Sequence, residues 1–243
     1  MNPASWFPLN NPFLWIFANN EQDTEMANRR YSIATFNVQN NPDMTSAQVF
    51  ECGKIAAEYD VINFQEIMEK DDHDQLQKAM PNHNFYNTHC PIPIAVHTSL
   101  NVTGSGWYPV VKPEAGFTPP RGYSYVDIDL GYDQITDVNN HFINKAWTLT
   151  DPRKAERQKL WNEQYHATDA FINSRNRKTY FAGDYNRHVV APYGTGRGRW
   201  VTGMGTIDKI GVTAGNPGVT IIQAGTIHTP SDHALKFVKV QHG

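Results

Sequence analysis

Cysteine is nearly absent: Cys52 and Cys90 are the two in 243 residues, and neither belongs to a C-x-x-C pair. That excludes a disulfide-dense secreted scaffold and a cysteine-based zinc site. Two free thiols in a reducing compartment, hence a cytoplasmic protein, is the simplest expectation. The histidines at 73, 83, 89 and 97 do not supply zinc-ligand spacing either. Long hydrophobic runs are missing too. The most apolar stretch, MNPASWFPLNNPFLWIFA, is broken by Pro3, Pro8 and Pro12, and no basic segment precedes it. No run reaches the roughly 20 residues that a membrane span needs. Residues 1–28 therefore read as an aromatic arm packing on its own domain, with a self-association or assembly contact as one alternative and a membrane surface as another. An excess of positive charge is lacking: 21 Lys and Arg face 24 Asp and Glu, for a net charge of -3. No global field announces nucleic acid, although a local basic groove can sit on an acidic protein. Internal repeats, low-complexity tracts and Ser/Gly linkers are absent as well, so residues 29–243 read as a single domain.

What is present is a long alternation of short apolar runs with a few helical stretches. Tyr31–Val38 and Asp60–Phe64 have the β-branched and aromatic content of buried strands. Between them, beyond the turn signal Asn40-Asn41-Pro42, residues 45–59 place Val49, Cys52, Ile55, Ala56 and Tyr59 on one helical face. A second helix is expected over 71–80, stopped by Pro81. Residues 84–142 read as strands with turns at Gly104–Gly106, Gly116–Gly122 and Gly131. Residues 151–173 form the longest helix, with Pro152 at its first position. Its inner side is expected to carry Leu160, Gln164, Ala167 and Phe171, with Trp161, Thr168 and Ile172 beside them. Strands follow at Lys178–Ala182 and near 206–213, 219–228 and 235–240. Many strands with few helices point to an α/β sandwich, with mixed or antiparallel sheets inside and helices outside. A doubly wound sheet would need helices between most strands.

Residues capable of chemistry gather where these runs end: Asn37 after Ile33–Phe36, Glu66 after Val61–Phe64, and Asp184 and Asn186 after Tyr180–Gly183. Asp232 and His233 stand just before Ala234–Val240. Strand ends on one sheet edge are where α/β proteins place their sites. Carboxylates with Asn are hard oxygen ligands suited to Mg²⁺ or Mn²⁺. Taken singly, each residue has an ordinary reading as a turn, cap, core or solvated group. The order TFNV, FQE, NNHF, GDYN, TIDKI, SDH is far more specific. It resembles the motif series of the endonuclease/exonuclease/phosphatase superfamily, from Tyr31 to Val240.

That resemblance implies a DNase I-like four-layer α/β sandwich and a divalent-metal-dependent phosphoesterase using Mg²⁺ or Mn²⁺. Asn37, Glu66 and Asp232 would hold or adjoin the metal, with Glu66 the principal ligand. His141 would contact the scissile phosphate. Asp184 and Asn186 would orient the nucleophile or leaving group. Asp208 would orient His233, a general base or phosphate contact; whether the base is His233 or Asp184 stays open. Arg121 is a candidate phosphate contact. The loop after GDYN adds Arg187, Arg197 and Arg199 with Tyr193 and Trp200, a mixture of cations and stacking surfaces of the kind found in nucleic-acid grooves. A nuclease acting on DNA or RNA is the leading expectation. The alternatives are a phosphatase or phosphodiesterase on inositol phosphates or phospholipids, sphingomyelinase-like, and a non-enzymatic binding protein that keeps the fold. Arg157 is expected to serve helix packing or the surface and not catalysis.

Overall fold

The computed structural model describes residues 30–39, 44–194, 196–213 and 218–242. The aromatic arm and the turn signal at residues 40–42 lie outside them. In chain order the described elements are β1 (Arg30–Asn37), α1 (Ser46–Ala56), β2 (Val61–Gln65), α2 (Lys70–Ala79), β3 (His83–Tyr86), β4 (Ile94–His97) and β5 (Asn101–Val111). They continue with β6 (Arg121–Asp129), β7 (Gln134–His141), α3 (Lys154–Ser174), β8 (Lys178–Asp184), β9 (Gly198–Thr202), β10 (Asp208–Thr213), β11 (Val219–Ile227) and β12 (Leu235–His242).

The strands form two six-stranded sheets, ordered β11-β12-β1-β2-β4-β3 and β5-β6-β7-β8-β10-β9. Each is antiparallel except for one central parallel pair: β1 with β2, and β7 with β8. Both parallel pairs are joined through a helix, α1 in one sheet and α3 in the other, as parallel pairing demands. Strands covered on both faces should be apolar almost throughout, and β1, β2, β7 and β8 are buried along nearly their whole lengths. Ile33, Val61, Val126, Ile135, Tyr180, Ile210 and Val238 pack between the sheets. Ala34, Phe36, Ile62 and Phe64 face the other way, onto Val49, Cys52 and Ala56 of α1 and Leu76 of α2. Val138 and Phe181 likewise meet Trp161 and Ile172 of α3. The result is helix, sheet, sheet, helix: the DNase I-like α/β sandwich. Cys52 and Cys90 are both buried and unpaired.

Several boundaries differ from expectation, each for a visible reason. Gly104 and Gly106 sit inside β5, where they do not make a turn. A Cβ on Gly106 would stand 2.7 Å from the Tyr125 ring, and the register slips between Val102 and Gly104. The glycines mark close approach and a bulge. Helix α3 starts at Lys154; Pro152 lies in the preceding turn, where the Asp151 carboxylate accepts the Arg153 N–H and pairs with Arg157 at 3.2 Å. Its fully buried stripe is Arg157, Trp161, Gln164, Thr168 and Ile172, with Leu160, Ala167 and Phe171 at the margin. The stripe is rotated because polar side chains bond the sheet: Gln164 Nε2 donates to Gly122 O and His141 O, and Thr168 Oγ1 to Asn140 Oδ1. Arg157 packs against Phe117 and donates to its carbonyl. At α1, Thr45 and Gln48 form a capping box.

Between the sheets, below their shared edge, the core turns polar. Asn63 Nδ2 donates to Asp137 Oδ1 at 2.8 Å, Gln65 Nε2 to Asn139 Oδ1 at 2.7 Å, and Asn139 Nδ2 to Phe64 O at 2.7 Å. These bonds link β2 to β7 and fix the two parallel pairs against each other. Burial pushes the Asp137 carboxyl up to about 7, against the bond from Asn63. A carboxyl with a raised folded pKa binds more protons folded than unfolded. Its contribution is therefore complete below the unfolded value, near 4, and is lost as pH climbs to about 7. Asp137→Asn keeps the Asn63 bond and removes the ionisation. It should be more stable than wild type at pH 8 by about 4 kcal/mol, with the difference vanishing near pH 4. Urea melts at both pH values measure this, and a pH-independent difference would refute it.

Candidate active site

The two parallel pairs end side by side. In the register, Asn37 at the end of β1 lies opposite Gln65, and His141 at the end of β7 lies opposite Asp184. Strand β10 runs antiparallel to β8, so its first residue, Asp208, is brought opposite Asp184. The segment leading into β12 delivers Ser231, Asp232 and His233 to the same edge. There Ser231 Oγ donates to Asn37 O and accepts the His233 N–H.

Backbone conformation aims these side chains. Glu66 and Asn186 both take positive φ, 64° and 51°, as does Gln39 at 62°. Such non-glycine conformations cost about 1–3 kcal/mol each and collect at functional sites. Gly183, with φ 139°, allows β8 to lie against β7: a Cβ there would stand 2.0 Å from Asn140 O. This is why glycine precedes Asp184.

Asp184 is buried and held at both oxygens: Oδ1 accepts the Asn186 N–H at 2.8 Å, and Oδ2 accepts Asn37 Nδ2 at 3.1 Å. Asn37 Nδ2 also donates to Glu66 Oε1 at 3.3 Å, while its Oδ1 accepts the Gln39 N–H. Asn37 thus acts here as a donor that draws two carboxylates together, its oxygen already engaged. His141 Nε2 stands 3.6 Å from both Glu66 Oε1 and Asp184 Oδ2. Burial, with Arg121 and His233 nearby, holds the His141 imidazole well below its usual range, so it is neutral. His233 Nδ1 lies 3.0–3.1 Å from both oxygens of Asp208. Burial opposes its charge, but the bond to Asp208 and the attraction of Asp208, Asp184 and Asp232 prevail and push it up to about 9.

The donor set fits a hard divalent cation. Burial and the facing Asp208 push Asp184 up to about 6 despite the hydrogen bonds and the His233 charge that favour its ionised form. That is the strain of negative charge waiting for a counter-charge. Among the described residues, Asp184, Asp208 and His233 offer ligand atoms within 4.8 Å of one another. Asp232 stands further out: its carboxylate is 60% exposed and 3.8 Å from His233 Nε2.

Arg121 is buried at the start of β6. Burial draws its guanidinium down to about 10 against the attraction of Glu66 and Asp184, and its Nε has no partner. It lines an open depression of about 190 Å³ with Glu66, Met68, Pro91, Pro119 and His141. Arg187 stacks 3.8 Å over the Trp147 ring, one residue beyond Asn186. Arg197 and Arg199 do not join the site. Gly198 and Arg199 pair with Thr213 and Val212 at the far end of β10, several residues and roughly 13–16 Å from Asp208 at strand spacing. Tyr193 is fully buried against Phe181 and Tyr165, and Trp200 packs on Phe181 and Tyr185. Tyr193 is a core aromatic, and Trp200 is half-buried against that core. Strand pairing thus separates Arg197 and Arg199 from the cluster around Asp184.

Residues 34–233 match the profile of the Endonuclease/Exonuclease/phosphatase family. The chain belongs to that family. No curated protein sequence matches it significantly. Among solved structures, it is similar to D. rerio TDP2 humanized by 14 mutations, with TM-score 0.71 and 14% identity over 88% of this chain and 99% of that one. D. rerio TDP2 complexed with a single-strand DNA product gives 0.66 and 14%, over 87% and 99%. The mannosyl-6-phosphatase Bt3783 of Bacteroides thetaiotaomicron gives 0.61 and 12%, over 86% and 99%. At such identities these likenesses establish the fold. Family membership makes a phosphoesterase hydrolase the general expectation. No described helix is long and apolar enough to cross a membrane.

Removing the Asp208 charge tests the electrostatics directly. In Asp208→Asn, burial no longer meets a bonded carboxylate, so the His233 titration, near 9 in wild type, should fall by at least two units in a histidine-ring NMR titration of the metal-free protein. A wild-type midpoint below 7 would overturn the assignment.

Proposed function

We propose that the chain is a divalent-metal-dependent phosphodiester hydrolase acting on nucleic acid. The observation that carries this reading is the convergence of Asn37, Glu66, His141, Asp184 and the Asp208–His233 pair on one edge of the sandwich. A Mg²⁺ or Mn²⁺ ion held chiefly by Glu66 would neutralise the phosphate and stabilise the departing oxygen. The protein's own groups do the rest. Arg121, with donor capacity unspent, binds a non-bridging oxygen. Asp184, gripped by Asn37 and Asn186, is placed to take the proton of an attacking water. His233, charged through Asp208, presents Nε2 to the phosphate, and neutral His141 adds a further contact. This arrangement favours Asp184 over His233 as the base.

Nucleic acid is favoured over other esters by Arg187, one residue beyond Asn186 and stacked on Trp147, and by the likeness to a protein captured with a single-strand DNA product. The second reading, a phosphatase on a small phosphate ester such as an inositol phosphate, draws on the likeness to a mannosyl-6-phosphatase and the modest size of the depression. Two buried, unpaired cysteines suit a cytoplasmic setting.

The deciding assay is cleavage of supercoiled plasmid, single-stranded DNA and RNA with Mg²⁺ or Mn²⁺. Glu66→Ala, Asp184→Asn and His233→Ala should each lose at least 100-fold in kcat, and EDTA should abolish cleavage. The wild-type rate should rise through pH 6 and fall above pH 9, with the acid limb moving lower as the divalent ion is raised. Folded wild type that leaves all three nucleic acids intact but releases phosphate from inositol phosphates would transfer the assignment to the second reading.

A further inference from the structure

Lys209 is a buried cation that the chemistry above leaves unused. It follows Asp208 in β10, and successive strand residues point to opposite faces, so its side chain runs away from the catalytic edge. Its ammonium donates to three carbonyls: His188 O at 2.7 Å, Gly203 O at 3.2 Å, and Thr206 O more closely still. The Trp200 ring lies 5.8 Å away, and no carboxylate bonds to it directly. The three carbonyls come from two segments: the loop leaving Asp184 and Asn186, and the β9–β10 hairpin that enters Asp208. Further bonds converge there. His188 Nδ1 pairs with Gly205 O, Tyr185 N donates to Ile207 O, and Thr206 Oγ1 donates to Gly203 O and Asp208 O.

Burying an ammonium costs several kcal/mol unless its donors are met, and packing under Trp200 would be served as well by methionine. What a methionine would lack is the strap across the two segments that deliver Asp184 and Asp208. Like charges directly opposite in a ladder repel, so these two carboxylates stay in register only if both backbones are pinned. Glycine at 203 completes the device: its φ is 79°, and a Cβ there would lie 2.1 Å from Asp208 O.

We propose that Lys209 is the positioning residue of this site, holding Asp208, and through it His233, against Asp184 by strapping the post-β8 loop to the β9–β10 hairpin. The inference rests on the catalytic reading of Asp208 and His233. It gives Lys209 no contact with substrate.

Wild type, Lys209→Met and Lys209→Arg should be compared for kcat and KM on the nucleic acid that wild type cleaves, for thermal melting, and for the His233 ring resonances. Lys209→Met should lose at least 10-fold in kcat with KM changed less than threefold, and its His233 resonances should shift or broaden. Lys209→Arg, which keeps charge and donors, should recover most of kcat. A lower melting temperature in Lys209→Met with unchanged kcat and His233 resonances would reduce Lys209 to a packing residue and overturn the proposal. If Lys209→Met does not fold, His188→Leu removes the other side-chain bond between the two segments and should lose at least threefold in kcat; no loss there also overturns it. A wild type that cleaves no phosphoester would sink the functional reading alone. The strap would then be judged on the His233 resonances, which must still respond to Lys209→Met.

Discussion

Everything at the proposed active site depends on the bonds that cross between the sheets. Each sheet contributes one parallel strand pair, and each pair ends in chemistry, but a parallel pair fixes only its own two ends. The cross-sheet contacts Asn63–Asp137 and Gln65–Asn139 set one pair against the other. Without them, Asn37 and Glu66 would belong to one half of the molecule, and His141 and Asp184 to the other. Apolar packing between the sheets is non-directional and tolerates sliding; a buried amide meeting a buried carboxyl does not. The polar layer thus trades some stability for register, and the raised pKa of Asp137 is the visible cost of placing a carboxyl there.

The same trade recurs at the strand ends. Glu66, Asn186 and Gln39 leave their strands through left-handed conformations, which turn the chain at once and hold each side chain over the edge. The strain is tolerated because hydrogen bonds determine these turns more than once: Asp184 receives the Asn186 N–H, Asn37 the Gln39 N–H, and Ser231 ties Asn37 to the His233 segment. These are local Asx-type contacts. GDYN therefore forms an Asx turn, and the same turn sets Asp184 in the site proposed above.

Much of this was legible beforehand because the motifs are short, local and sit where apolar runs stop. Asn37, Glu66, His141, Asp184, Asp208 and His233 meet as the motif order implied. What the sequence hid depends on pairing between distant segments. Arg197 and Arg199 share a loop with Arg187, yet β9 pairs with the far end of β10 and carries them off. Gln65 and Asn139 looked like ordinary polar residues inside strands, and only the sheet-on-sheet register shows them bonded. Helix α3 buries Gln164 as expected, but its stripe is rotated toward Trp161, Thr168 and Ile172 because the facing strands offer Gly122 O, His141 O and Asn140 Oδ1. Lys209 passed as an ordinary lysine in a strand, since nothing local says that three carbonyls will surround it.

Charge balance ties these features to the substrate. Glu66, Asp184, Asp208 and Asp232 bring four carboxylates to the edge. Arg121, His233 and Lys209 set three cations in or behind it, so the protein alone carries about one net negative charge there when all seven are ionised. It stays so at the cost of opposed pKa shifts, Asp184 up and Arg121 down. A divalent ion would relieve the carboxylates and leave the edge positive by about one charge. A phosphodiester, with a single negative charge, would balance that field, with cations already in place as charge builds on the reacting phosphorus oxygens, which is where stabilisation counts most. An ester carrying several clustered phosphates would need further cations around the depression. Besides Arg121, however, its lining is Met68, Pro91, Pro119, His141 and Glu66. That wall chemistry is the physical ground for the proposed diester, with one phosphate at the centre and less charged substituents on either side.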